Sequence, residues 1–285
     1  MSLAEIIFIL TGTCAVLVFG GKLVCLFMML VPKLFCPLPE SFFTTLGKWA
    51  VVTGGSDGIG RAYAEELSKL GMSVIIISRN QEKLARAARK IELTTGQEVK
   101  VIAADFTKDD IYGHINENIK GLDIGILVNN VGILPSQIPC KLLETSDLEE
   151  RIHDVINCNV KAMVKMCRIV LPEMQQRGRG VILNVSSGIA KIPCPIYTLY
   201  AASKTVAPFG VSTAMTGHQK PDMVTFRPEE FARSSLKYLK LGDQTYGSVT
   251  HTILGGIVQS IPTWVLQSKA FQHHFREYVK EKVGS

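Results

Sequence analysis

The sequence predicts an α/β protein built on a doubly wound parallel sheet, and three observations carry that reading. From Lys48 onward, short runs rich in β-branched residues alternate with longer amphipathic stretches. The strand runs are apolar throughout instead of alternating, as in a sheet covered on both faces. A glycine-rich turn joins the first strand to the first helix, at the sheet end where such folds take ligands. A chain of 285 residues holds one such domain with additions at its ends.

The elements follow in order. "KWAVVTG" is a strand and Ile59 to Leu70 a helix; "SVIIISR" is a second strand, with a helix over Gln81 to Leu93. "VKVIAAD" is a third strand, followed by helix from Lys108. "IGILVNN" is a fourth, then comes a helical region to about Gln176, then "GVILNVSS". Near the C-terminus, Pro228 to Lys240 is amphipathic and Gln244 to Ser260 is apolar with helical spacing. Trp264 to Tyr278 reads either as a lid or membrane-facing end of a substrate pocket, or as core.

The N-terminus predicts a membrane anchor. Ile6 to Val31 is apolar except for Lys22, and is long enough to span a bilayer. Glu5 precedes it, while Lys22, Lys33 and Lys48 gather on the far side, which places the rest of the chain in the cytosol. No basic n-region or A-x-A site supports a cleaved signal. "CPLPESF", with two prolines, reads as a linker. The domains expected are thus anchor and linker over 1–47 and a catalytic domain over 48–285.

Composition excludes several classes. The net charge of +6 is modest and spread out, so no nucleic-acid partner is expected. The seven cysteines form no C-x-x-C pair, which suggests reduced thiols, and neither they nor the six histidines are spaced to bind metal.

The chemistry lies in the loops. "TGGSDGIG", Thr53 to Gly60, follows the first strand and opens a helix whose N-terminus faces phosphate charge. Gly54 allows the tight turn, Gly58 a close approach to pyrophosphate, and Gly60 the packing of helix on strand. At the end of the second strand stands "SRN" without an acid to take ribose hydroxyls, and Arg79 there can pair with a 2′-phosphate. That favours NADPH over NADH.

This spacing resembles the short-chain dehydrogenase/reductase family over Lys48 to Lys204. "NNVG" (Asn129 to Gly132), "ADF" with Asp105, Asn159 in "NCNV", Ser187, and the Tyr200-x-x-x-Lys204 pair complete the resemblance. It implies that Thr53, Gly54, Ser56, Asp57, Gly58, Ile59, Gly60, Arg79, Asp105 and Asn130 hold NADPH/NADP+, together with Tyr200, Lys204, Val211 and Thr213. It implies a catalytic set of Tyr200, Lys204, Ser187 and Asn159. Tyr200 passes a proton to a ketone oxygen while Ser187 binds and polarises the substrate carbonyl. Lys204, one helical turn on, lowers the tyrosine pKa, and Asn159 holds a water linking Lys204 to solvent.

Together with the anchor, "FTKDDIY" and "LNVSSGIA" resemble the family's membrane-bound subgroup of the endoplasmic reticulum. That subgroup implies reduction of a 17-ketosteroid, of the androstenedione-to-testosterone type, or alternatively of very-long-chain 3-oxoacyl-CoA. The partners expected are a steroid or acyl substrate and membrane lipid; a homodimer stays open. One feature departs from the family. Only Thr205, Val206 and Ala207 separate Lys204 from Pro208, where family members continue the helix and add a sixth strand. The missing piece is about 16 residues, a mean helix and strand. A catalytically silent, membrane-anchored cofactor binder is therefore a third reading, and low activity is expected of a helix that ends beside its lysine.

Overall fold

The computed structural model describes residues 2–35, 38–39, 41–191, 195–204, 227–236, 249–259 and 261–284. Five strands, β1 (Trp49–Thr53), β2 (Ser73–Ser78), β3 (Val99–Ala103), β4 (Ile124–Asn129) and β5 (Val181–Asn184), form one sheet. All pairings are parallel and the order is β3-β2-β1-β4-β5. The chain winds outward from β1 to β3, then returns to place β4 on the other side of β1. This change of direction opens a crevice between the carboxyl ends of β1 and β4.

Both faces of the sheet are covered, which explains the unbroken apolar runs. Ala50, Val52, Val74, Ile76, Ile126 and Val128 meet α3 (Gly58–Lys69), α4 (Gln81–Thr95) and α9 (Pro228–Leu236) through Ala62, Leu67, Leu84 and Leu236. Val51, Ile75, Ile77 and Leu127 face the other way, against Ile115 of α5 (Ile111–Ile119) and Met166 and Val170 of α7 (Ala162–Arg177). α9 is fixed on α3 by more than apolar contact. Arg233 donates two hydrogen bonds to Glu66 at 3.0 and 3.2 Å, and the Tyr63 and Ser235 hydroxyls are bonded to each other.

The long helical region before β5 is not uniform. α6 (Leu148–Ile156) runs into a π-helical turn at Asn157–Lys161 and then into α7. Such widened turns occur often at functional sites. α8 (Thr198–Ser203) has only six residues, and Lys204 already has extended backbone, with φ −127° and ψ 109°. The helix thus ends before the lysine that was expected to lie on it. β3 and β5 are the edge strands among the described residues. Val181, Ile182 and Leu183 of β5 are only half-buried, whereas every residue of β4 is buried.

The N-terminal expectation needs correction. α1 (Leu3–Phe35) covers the whole segment, with α2 (Ser41–Leu46) after it. Yet among the described residues no helix is long and apolar enough to cross a membrane. What the structure presents is a long helix with exposed apolar side chains, including Phe8, Leu10, Val16, Leu17, Phe19 and Leu23. At the C-terminus, α10 (Val249–Gln259), α11 (Thr263–Leu266) and α12 (Lys269–Gly284) complete the described chain.

Candidate active site

A cleft of about 420 Å³ opens at the crevice between β1 and β4. The glycine turn, the ends of β2 and β3, the segment after β4, and the pair Tyr200 and Lys204 line it.

Its floor is a hydrogen-bonded clamp. The Thr53 hydroxyl accepts from the N–H groups of Asn130 at 3.0 Å and Val131 at 3.1 Å, and donates to Val128 C=O at 3.3 Å. The Asn130 side-chain amide donates to the carbonyls of Thr53 and Gly54 at 3.0 and 3.4 Å. Thr53 is wholly buried and, like Gly60, lies behind the cleft surface, so these residues shape the cleft without lining it. Gly54 has φ +68°, a conformation that favours glycine. A Cβ at residue 60 would stand 2.2 Å from Gly54 O, so α3 can approach the turn this closely only with glycine there.

The lip carries polar groups suited to a nucleotide. The Ser56 and Ser78 hydroxyls are bonded to each other at 2.9 Å. Asp57 caps α3 by accepting from Gly58 N–H at 2.8 Å. Partial burial pushes its carboxyl up, but that hydrogen bond and the cations of Lys83 and Arg61 hold it below the usual value. Arg79 is exposed on the cleft and has no hydrogen-bond or ion-pair partner among the described residues. Asp105 Oδ1 accepts from the Thr107 N–H and hydroxyl, which fixes the carboxylate and leaves its other oxygen open. The turn, a fixed carboxylate and a free guanidinium fit a dinucleotide.

The inner end holds the four residues of the expected catalytic set. Tyr200 is 8% exposed, and its hydroxyl lies beside Ser187. Burial raises the tyrosine pKa, and the neighbouring Ser187 hydroxyl offsets this only in part. Lys204 does not perform the pKa lowering expected of it. It points elsewhere, donating from Nζ to Val131 C=O at 3.4 Å, because the backbone leaves the helix at this residue. Burial drives its own pKa down to about 8. Asn159, in the π turn, is also fully engaged. Its Oδ1 accepts from Ile133 N–H at 2.8 Å, while Nδ2 donates to Ile133 C=O at 3.0 Å and to Ser203 Oγ at 2.9 Å. A water relay there could use only the remaining lone pair of Oδ1.

Val211 and Thr213 lie outside the described residues. Residues that sequence reasoning missed include Ser203, and Cys158, a buried thiol on the cleft whose pKa burial lifts to about 12. Also missed was Tyr197. Its ring sits 6.3 Å from that of Tyr200 and 6.2 Å from that of Phe275 on α12, and Arg276 of α12 pairs with Glu144 at 3.0 Å. This places part of the Trp264-to-Tyr278 segment beside the inner end, as a lid would be. The only sequence signal was the segment's aromatic content, which served core packing equally well.

Comparison with known proteins agrees with this geometry. The family model described as short chain dehydrogenase matches residues 48–224. A 17-beta-hydroxysteroid dehydrogenase type 3 from Danio rerio is 80% identical over 304 residues, covering 99% of each chain. Because this chain has 285 residues, that alignment contains at least 304 − 285 = 19 positions at which it has none. A very-long-chain 3-oxoacyl-CoA reductase from Macaca fascicularis is 39% identical, covering 83% of this chain and 84% of that one. Among solved structures, a short-chain dehydrogenase from Sphingobium yanoikuyae in complex with NADPH superimposes with a TM-score of 0.59 at 24% identity, over 66% of this chain and 82% of that one. Fold, cleft and sequence agree, and the chain belongs to the short-chain dehydrogenase family.

Proposed function

We propose that this chain reduces a 17-ketosteroid, of the androstenedione-to-testosterone type, with NADPH. The observation that carries the reading is the buried Tyr200 phenol beside Ser187 at the inner end of the cleft, with Arg79 free on its lip. The 80% identity to a 17-beta-hydroxysteroid dehydrogenase, against 39% to a 3-oxoacyl-CoA reductase, puts the steroid ahead of the acyl thioester.

When bound, the nicotinamide supplies the hydride. The chain's own residues do the rest. Arg79 meets the 2′-phosphate, the open oxygen of Asp105 takes the adenine amine, and the N-terminus of α3 faces the pyrophosphate. Burial keeps Tyr200 protonated, so the phenol is a donor at neutral pH. The Ser187 hydroxyl turns to the substrate carbonyl, where negative charge develops, and Tyr200 delivers its proton to that oxygen.

We read residues 1–47 as a membrane-attaching segment and linker and 48–285 as the dehydrogenase domain. The apolar side chains exposed on α1 between Ile6 and Val24 are stable where the solvent is lipid. We therefore place α1 on the endoplasmic-reticulum membrane and the domain in the cytosol. Recovery of the protein in the soluble fraction of a lysate, with none in the endoplasmic-reticulum membranes, would refute that placement.

A second reading is favoured by the early end of α8. We place the alignment's shortfall after Lys204, and a helix stopping at Ser203 leaves the cofactor lip intact while loosening the inner end. NADPH binding and turnover could then separate, giving a silent cofactor binder.

One assay series in membranes separates these readings, offering androstenedione and a 3-oxoacyl-CoA with NADPH or NADH. NADPH-dependent steroid reduction is expected, falling about a hundredfold or more in Tyr200→Phe with NADPH binding retained. Faster acyl-CoA reduction would replace the substrate assignment, and NADPH binding with neither reduction would favour the silent reading. Arg79→Asp is expected to weaken NADPH about tenfold to a hundredfold while sparing NADH. Equal losses for both cofactors would remove Arg79 from 2′-phosphate recognition.

A further inference from the structure

The end of α8 leaves a backbone group without its regular partner. In a continuing helix the N–H of residue 204 would bond to the carbonyl of Tyr200, four residues back. Here the Lys204 N–H turns to Ala201 C=O instead, at 3.2 Å. The Tyr200 carbonyl is met by a side chain, accepting from Ser203 Oγ at 2.9 Å. Back-bonding of this kind is common for serine in helices and would mean little alone. Two further facts give it weight. The same Ser203 oxygen accepts from Asn159 Nδ2 at 2.9 Å, and Asn159 is itself locked in both directions to the backbone of Ile133. Every side chain in this chain of bonds is buried: Asn159 is 4% exposed, Ser203 8% and Tyr200 8%.

The geometry points to Ser203 as a positioning residue for the reduction proposed above. Its hydroxyl, anchored by Asn159, replaces the helical hydrogen bond lost at Tyr200 and holds Tyr200 and Lys204 against Val131–Ile133. The assignment rests on that functional reading for its consequence but not for its geometry. Lys204 follows Ser203 directly, and its side chain runs flush over Gly132, where an added Cβ would stand 2.8 Å from Nζ. Holding residue 203 therefore fixes the point from which the lysine reaches Val131 C=O. Without the hydroxyl, the Tyr200 carbonyl and one Asn159 N–H lose their partners inside the protein, and water entering to satisfy them separates the strand-end segment from α8.

The test uses the full chain in membranes, with Ser203→Ala and the hydroxyl-retaining Ser203→Thr. The deciding readout is the titration of Lys204, followed by competitive acetylation and mass spectrometry without added ligand. In the parent, burial lowers the Lys204 pKa to about 8, and a titration midpoint below the ordinary lysine value is expected. In Ser203→Ala the midpoint is expected to rise by about one unit or more toward the ordinary lysine value, and in Ser203→Thr to return. With ketone reduction measured alongside, Ser203→Ala is expected to lower kcat about tenfold or more while the Kd for NADPH stays within about twofold. An unmoved Lys204 titration in folded Ser203→Ala overturns the proposal whatever happens to kcat. So does a parallel loss of folded protein, NADPH affinity and kcat that Ser203→Thr fails to rescue. If the parent reduces no ketone, the functional reading fails, and the Lys204 titration still decides the role of Ser203.

Discussion

The hydrogen bonds between Thr53 and the Asn130–Val131 backbone hold the whole site. They join the carboxyl ends of β1 and β4 at the point where the winding of the sheet reverses. On one side of this clamp, the glycine turn hangs from Thr53 and is braced by the Asn130 amide. On the other side runs Val131–Ile133, and Lys204, Asn159, Ser203 and Tyr200 are tied to it directly or in sequence. Lys204 reaches Val131, Asn159 brackets Ile133, and Ser203 and then the Tyr200 carbonyl follow from Asn159. Buried polar groups in such a sequence of bonds are costly to leave unpaired, so a change in one is felt by the next.

This arrangement divides the cleft unequally. The turn, the fixed carboxylate of Asp105 and the free Arg79 all belong to β1, β2 and β3, which lie in the interior or on the far side of the sheet. Tyr200 and Ser187 belong to the other side, where β5 is half-buried and α8 has only six residues. Most helical stability comes from tertiary packing, and a six-residue helix has little surface to pack. What remains is a tether of side-chain hydrogen bonds from β4. Under the proposed function, cofactor binding is robust and ketone reduction depends on that tether.

Much of this was legible in the sequence. Unbroken apolar runs such as "SVIIIS" announced strands buried on both faces, and "TGGSDGIG" announced the turn, because both follow from local backbone and burial demands. Arg79, Asp105 and Tyr200 fell at the cleft because strand ends and the first turn of a helix are placed by topology. Partner choice was not legible. Nothing local says that the Thr53 hydroxyl faces inward to β4, or that both N–H groups of Asn159 are committed. Its π turn has no composition of its own. The loss of the i, i+4 relation between Tyr200 and Lys204 was half visible, since Pro208 warned that the helix would stop. That it stops before the lysine, and that Ser203 fills the vacated hydrogen bond, required coordinates.

The most direct test restores to the Danio rerio length what this chain lacks. The relative's segment is inserted after Lys204, and both chains are expressed in the same membranes and normalised for folded protein. NADPH affinity and 17-ketosteroid reduction are then measured together. The account predicts NADPH affinities within about twofold of each other, and reduction faster in the restored chain by about tenfold to a hundredfold, as expected when a catalytic group is held within an ångström of its place. Equal rates of reduction in the two chains would contradict it, because the side-chain tether would then hold the inner end as well as a full helix does.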